Sequence, residues 1–139
     1  MFRVLVVNHD VDMADLEVDV LRRAGYEVDQ CSGPTHARGA CPLLRGLPCW
    51  QVEWADVLIY DVWSAGDGGA ELTSCLQTEY PDKPIVLTSL GMDVAWTEDA
   101  GAARYTVLHG PPTRATLAAA VESALATTQA APAAAQPVG

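Results

Sequence analysis

Five short apolar runs constrain what this chain can fold into. Most of them are continuous rather than alternating, and a strand with that pattern is buried on both of its faces. Helices that cover both sides of a parallel sheet produce such burial. The runs are Arg3–Val7, residues 57–60, residues 85–87 and Tyr105–Leu108, with a shorter alternating run at residues 26–31. The sequence therefore predicts a five-stranded parallel sheet in an α/β fold.

Helical patterns separate these runs. Between residues 12 and 24, Asp10 or Asp12 can cap the start of a helix and Gly25 follows its end. Further helices are predicted over residues 70–80 and 113–126. Strands that alternate with helices favour a doubly wound sheet. In the first helix the apolar side chains recur every three or four residues, at Met13, Leu16, Val20, Leu21 and Ala24.

Length, composition and charge exclude several classes of protein. The chain has 139 residues, 50% of them hydrophobic, which suits one folded domain. We predict that domain over residues 1–126 and a disordered tail, rich in Ala, Pro and Gln, over residues 127–139. The net charge of −10 repels phosphate backbones and anionic lipids, so we expect neither nucleic acid nor membrane as a partner.

The redox and membrane expectations follow from short segments. No apolar run approaches the ~20 residues that cross a bilayer, and Met1 leads directly into a strand. We therefore expect a cytoplasmic protein, in which the four cysteines are thiols or metal ligands rather than a disulfide framework.

Polar residues follow the predicted strands. In a doubly wound sheet, ligands bind beyond the carboxyl ends of the strands, where residues distant in sequence meet. No Gly-rich phosphate loop follows the first strand, which argues against nucleotide binding of the usual kinds. The residues expected to converge are Asn8, His9, Asp10, Asp61, Thr88 and His109.

The segment Asp-Val-Trp-Ser-Ala-Gly-Asp-Gly-Gly-Ala-Glu-Leu at residues 61–72 resembles the phosphoacceptor segment of response-regulator receiver domains. Residues 4–10 are similar to the family's first strand and acidic cluster, and residues 84–89 to its fourth strand with the switch residue. Residues 101–117 are similar to its fifth strand and the proline that follows. The resemblance implies the flavodoxin-like topology of receiver domains, with residues 31–54 excepted.

The resemblance also implies a function. Asp61 matches the phosphoacceptor, Thr88 the switch residue and Tyr105 the switch aromatic. A chain of this kind acts in two-component signal transduction, not as an enzyme, and its partner is a histidine kinase or a downstream effector. Docking through the surface of the family's fourth helix, fifth strand and fifth helix is implied, and a homodimer is left open.

The match departs from the family at the charged positions. Receiver domains hold magnesium with two carboxylates after the first strand and the phosphoacceptor, and this chain has Asn8 and His9 at the two matching positions. Only Asp10 and Asp61 supply negative charge there, so we expect weak magnesium binding. The family's phosphate-binding lysine falls on His109 or Gly110.

The only lysine of the chain, Lys83, precedes the fourth strand and should lie at the opposite edge of the sheet. Two interpretations of Asp61 remain, a phosphoacceptor or a carboxylate that only caps the following loop. In the second case the chain is an atypical receiver that works by protein contact alone. A third hypothesis joins His9, His109 and Asp61 in a zinc or iron site, although single histidines are more often ordinary hydrogen-bonded residues.

Residues 31–54 form a Cys-, Gly- and Pro-rich insertion that replaces part of the second helix. Its four soft ligands, Cys31, His36, Cys41 and Cys49, can bind zinc or an iron–sulfur cluster, or two thiols can form a reversible disulfide. None of the spacings is of the CxxC type. The plainer alternative is that the cysteines pack as small hydrophobic residues. A thiol-redox or metal sensor is therefore the alternative function.

Overall fold

A computed structural model of the chain describes residues 2–32, 41–61, 75–76, 78–88, 105–108 and 113–135. Five strands form one sheet in the order β2-β1-β3-β4-β5, and every pairing is parallel. This confirms the predicted sheet. The strands are β1 (Arg3–Val7), β2 (Glu27–Cys31), β3 (Val57–Asp61), β4 (Ile85–Thr88) and β5 (Tyr105–Leu108).

Three helices accompany the strands, α1 (Val11–Arg23), α2 (Trp50–Trp54) and α3 (Arg114–Ala135). A single 3-10 turn at Leu43–Arg45 precedes the short α2, so the second crossover contains only fragments of regular helix among its described residues. Residues 75–76 and 78–79 are helical, within the helix predicted over residues 70–80.

Two apolar cores lie on opposite faces of the sheet. The first joins α1 and α3 to the sheet, with Leu21, Leu117 and Val121 fully buried. The second joins α2 and the helical residues before β4, with Val52 and Leu76 buried. Helices on both faces explain why β3 and β4 consist of buried residues throughout. The doubly wound architecture is therefore confirmed.

Helix α1 begins and ends where the sequence predicts, but its buried face is different. Asp10 is the N-cap and Gly25 follows the helix at φ +101°, a conformation that glycine adopts without strain. Leu16, placed on the apolar stripe by periodicity, is 47% exposed. The face that α1 buries is formed by Ala14, Glu17, Val18 and Leu21. The predicted face was wrong because it was chosen from apolar residues alone. The helix buries the side that contains Glu17, and this turns Leu16 toward solvent.

The final helix is longer than predicted. Thr113 accepts a hydrogen bond from the Thr116 N–H at 3.2 Å and caps α3, which runs on to Ala135. The predicted disordered tail therefore differs from the structure over residues 127–135, and residues 136–139 lie outside the described residues. Alanine has the highest helix propensity, so an Ala-rich segment continues a helix that has already begun.

At the amino-terminal edge of the sheet, charges are paired. The backbone N–H of Arg3 donates to Asp56 Oδ2 at 2.8 Å, and the Arg3 side chain lies 3.7 Å from the same oxygen and 5.8 Å from the centre of the Trp54 ring. The Lys83 ammonium donates a hydrogen bond to the Ala55 carbonyl. Lys83 thus lies at the amino-terminal edge predicted for it, remote from the carboxyl ends of β3 and β4.

Within the part of the chain that the structure describes, none of the helices combines the length and the apolar composition that crossing a bilayer requires.

Candidate functional site

The carboxyl ends of three neighbouring strands bring buried polar residues together. Asp61 ends β3 and pairs in register with Thr88, which ends β4. Asn8 follows β1, whose last residue Val7 is the register partner of Tyr60. All three polar residues are buried, with 3 to 5% of their surface exposed. Adjacent parallel strands are about 4.8 Å apart, so these three residues lie side by side in one buried polar site.

His9 lies beside this site and is more exposed than the three buried residues. Its Nδ1 is 3.7 Å from Asp61 Oδ2, and its side chain is 34% exposed while that of Asp61 is 5% exposed. The two groups attract each other when the imidazole is protonated. Among the described residues, His9 is therefore a histidine that lies beside Asp61.

Asn8 is held by hydrogen bonds at every polar atom of its amide. Its Oδ1 accepts from the Asp10 N–H at 2.9 Å, and its Nδ2 donates to Glu17 Oε1 at 3.0 Å. Its backbone N–H donates to the Cys31 carbonyl at 3.0 Å. The amide therefore has one orientation, fixed from both sides.

Asp10 serves the start of α1. Its Oδ1 accepts hydrogen bonds from the N–H groups of Asp12 and Met13, at 3.0 and 3.2 Å, and the residue is exposed. Satisfying the first N–H groups of a helix in this way is the role of an N-cap carboxylate.

The magnesium site implied by the receiver resemblance is not matched by these residues. Mg²⁺ requires several oxygen ligands, preferably anionic. The Asn8 oxygen already accepts from Asp10, His9 offers nitrogen, and the Asp10 carboxylate caps α1. Among the described residues, no group of three or more His, Cys, Asp or Glu side chains is arranged to hold a metal ion.

Glu17 is the residue that the sequence reasoning missed. It is 1% exposed, Oε1 accepts from Asn8, and Oε2 is buried with no hydrogen-bond partner among the described residues. Burial raises the pKa of Glu17 to about 7, the hydrogen bond from Asn8 lowers it, and the negative charge of Asp61 raises it. The sequence did contain a signal for this burial: Glu17 is three residues after Ala14 and four before Leu21, and residues at these spacings share one face of a helix.

Cys31, Cys41, Cys49 and Cys75 are partly buried, and none of them forms a disulfide with another described cysteine. All four pack against the apolar cluster on the α2 face of the sheet. The structure therefore brings these sulfur atoms to one side, away from α1. His36, His109 and Gly110 lie outside the described residues, and with them the two-histidine hypothesis and the position matching the family's lysine.

Comparisons with known proteins identify the fold. A scan against family models and a search of curated proteins both find no match. Among solved structures, a putative response regulator from Chloroflexus aurantiacus is 26% identical, with a TM-score of 0.66, and the alignment covers 90% of this chain and 98% of that one. A response regulator receiver domain protein from Clostridium thermocellum is 17% identical, with a TM-score of 0.71 and coverage of 94% and 99%.

This chain has the fold of response-regulator receiver domains. NtrX from Brucella abortus shares it as well, at 20% identity and a TM-score of 0.74, over 99% of this chain. The chain spans 31% of that NtrX, so the match is to one part of a longer protein. In this fold Asn8, Asp61 and Thr88 lie together at the carboxyl edge of the sheet, as predicted from the doubly wound topology.

Proposed function

We propose that this chain acts in two-component signal transduction as a receiver, with Asp61 as phosphoacceptor and a partner protein that reads its state. The observation that carries the proposal is the position of Asp61. It is a buried carboxylate at the end of the central strand β3, and its residue is in register with Thr88 of β4.

The proposed reaction is phosphoryl transfer to a carboxylate. An oxygen of Asp61 attacks the phosphorus of the donor, the bond from phosphorus to the donor's leaving group breaks, and an aspartyl phosphate forms while the leaving group takes the electron pair. Thr88, one strand away, is placed to donate a hydrogen bond to the phosphoryl oxygens. His9, when protonated, offsets part of the negative charge that Asp61 gains.

The charges around Asp61 predict a slow reaction. Phosphoryl transfer depends on positioning and on neutralising the charge of the phosphoryl oxygens. Lys83 is at the other edge of the sheet, and Asn8 and His9 stand where the family has carboxylates. We expect transfer at least ~100-fold slower than in a receiver with the full set, by analogy with the loss of one stabilising group.

The direct test is incubation with acetyl phosphate, with and without magnesium, read by intact mass. We expect the wild-type chain to gain one phosphoryl group, and Asp61→Asn to gain none. The matched control is Asp82→Asn, which removes an exposed acid from the turn before β4 and should behave as wild type. Absence of a mass increase in the wild type rejects Asp61 as phosphoacceptor and leaves contact alone as the mode of action.

A gain of function sharpens this test. His9→Asp restores a carboxylate at a position where the resemblance implies one, directly beside Asp61. We expect it to bind magnesium more tightly and to be phosphorylated faster only when magnesium is present, because anionic oxygen is the preferred ligand. An equal gain without magnesium would contradict this explanation.

The partner is proposed to be a protein, either the histidine kinase that supplies the phosphoryl group or an effector that senses it. A net charge of −10 favours a partner with a positively charged docking surface and makes association weaken as salt rises. Dependence of a pull-down on ionic strength, with the phosphorylated and unphosphorylated chain compared, tests this step.

A second candidate function is thiol sensing, favoured by the position of all four half-buried cysteines against one apolar cluster. In this reaction two thiols lose two electrons and two protons to form a disulfide, while hydrogen peroxide is reduced to water. Intact mass after mild peroxide treatment should then fall by two hydrogens and recover with a reductant. Four thiols that remain unreactive in the folded protein would exclude the candidate.

A further inference from the structure

Glu17 is an acid on a helix face whose other buried residues are apolar. It shares the buried face of α1 with Ala14, Val18 and Leu21, and those three residues belong to the apolar core between α1, α3 and the sheet. A carboxyl group buried there costs free energy unless every oxygen is paired, and Oε2 is buried without a hydrogen-bond partner among the described residues. A leucine at this position would remove that cost.

The oxygen that is paired holds the first segment of the site. Glu17 Oε1 accepts from Asn8 Nδ2, and this bond directs the Asn8 oxygen toward the Asp10 N–H. His9 lies between these two residues, so its backbone is held on both sides. Its imidazole then stands 3.7 Å from Asp61 Oδ2. Glu17 therefore acts on Asp61 through the orientation of Asn8 and the position of His9.

We propose that Glu17 is a positioning residue of the Asp61 site, retained for the geometry of Asn8 and His9 at the expense of fold stability. For its effect on phosphorylation this inference rests on the proposed function, whereas its effect on His9 does not. The chemistry of the group supports it, because an acceptor at this point of α1 holds the Asn8 NH₂ toward the core while the Asp10 N–H holds the Asn8 oxygen.

Glu17→Leu and Glu17→Gln separate positioning from structure. Leucine suits the apolar surroundings but offers no acceptor, whereas the Gln amide oxygen can still accept from Asn8 Nδ2. Asp15→Asn, on the exposed face of the same helix, controls for the loss of one negative charge from α1. Three quantities are measured for each variant: the melting temperature, the initial rate of Asp61 phosphorylation by acetyl phosphate, and the His9 imidazole resonances.

We expect Glu17→Leu to melt several degrees higher than wild type, since the cost of the buried carboxyl disappears. Its phosphorylation rate should nevertheless fall by roughly tenfold or more, because misplacement of a site residue by a fraction of an ångström has effects of that size. Its His9 resonances should shift. Glu17→Gln should keep the wild-type rate within about twofold and the wild-type His9 resonances, and Asp15→Asn should match wild type in all three.

Other outcomes overturn the inference. If Glu17→Leu keeps both the rate and the His9 resonances, Glu17 positions nothing. If the melting temperature and the rate fall together, or if Glu17→Leu does not fold, Glu17 supports the fold rather than the site. If even the wild type is not phosphorylated, the proposed function fails, and the His9 resonances decide alone whether Glu17 positions this histidine.

Discussion

The two edges of the sheet differ in how their buried and half-buried charges are balanced by neighbouring groups. At the amino edge, Asp56 lies against the Arg3 backbone and side chain, and the Lys83 ammonium donates to a carbonyl. Burial lowers the pKa of Lys83, while the negative charge of Asp56 raises it, so the two influences oppose each other. At the carboxyl edge, Glu17 and Asp61 are both buried acids. Burial raises the pKa of Glu17, the hydrogen bond from the neutral Asn8 amide lowers it, and the negative charge of Asp61 raises it further.

This difference separates an edge of paired charges from the edge that carries the proposed site. Charges paired with opposite charges stabilise a fold or are neutral to it, whereas a buried acid with an unpaired oxygen, as in Glu17 within the described part of the chain, destabilises it. Such groups are found where chemistry needs them. The receiver fold has the ligand-binding pocket of a doubly wound sheet at the carboxyl edge. The energetics of single residues therefore point to the same edge as the topology does.

The largest expected effect is a pH dependence of stability that belongs to Glu17. Its pKa is raised from 4.5 to about 7, so the folded state holds a proton that the unfolded state has released. The stabilising contribution is complete below pH 4.5, decreases as the pH rises, and is lost above pH 7, a loss of about 3 kcal/mol. Urea unfolding from pH 5 to 8 should show this loss in the wild type relative to Glu17→Gln. If the free energy of unfolding depends on pH in the same way in both proteins, Glu17 contributes no pH dependence, and the contrast between the two edges fails.

The next effect concerns the amino edge. Lys83→Met removes the donor to the Ala55 carbonyl, and we expect a loss of about 1–2 kcal/mol in the free energy of unfolding. Phosphorylation of Asp61 should not change, because the substitution is at the other edge. Arg114→Met, an exposed cation at the start of α3, is the control for charge alone. A loss of phosphorylation in Lys83→Met without a loss of stability would break the comparison.

A smaller effect distinguishes the two roles considered for Asp10. Asp10→Ala removes the N-cap of α1 and should cost about 1 kcal/mol, whereas Asp10→Asn keeps an oxygen acceptor and should recover most of it. Thermal unfolding measures both. If Asp10 instead supplies a cation ligand, Asp10→Asn will reduce phosphorylation while leaving stability unchanged, which would extend the proposed site to this residue.

The smallest effect is that of the Arg3 side chain. It is 43% exposed and its partner carboxylate 35%, so Arg3→Met should cost no more than about 0.5 kcal/mol. The backbone N–H of Arg3 still donates to Asp56 in this variant. Urea unfolding at low and high salt should show a difference between the two proteins that shrinks with salt. A cost near that of Lys83→Met would show that the amino edge depends on this pair.

The sheet and the identity of the site residues were predictable, because both follow from strong local signals. Continuous apolar runs indicate strands buried on both faces, and parallel strands bring Asp61 and Thr88 together. Glu17 was not predicted, because a sequence pattern assigns acids to solvent and only packing against α3 and the sheet shows which face of α1 is buried. The length of α3 was missed because the Ala-, Pro- and Gln-rich composition after residue 126 is typical of disorder, and this signal was given more weight than the helix predicted directly before it.

The sheet also divides the molecule chemically. The cysteines lie with α2 on one side, and the acid of α1 lies on the other. A reagent that reaches Cys41, Cys49 or Cys75 therefore acts on the α2 face, whereas Asp61 lies at the carboxyl edge. Cys31 connects the two regions, because it ends β2 and its carbonyl accepts a hydrogen bond from the Asn8 N–H of the Asp61 site.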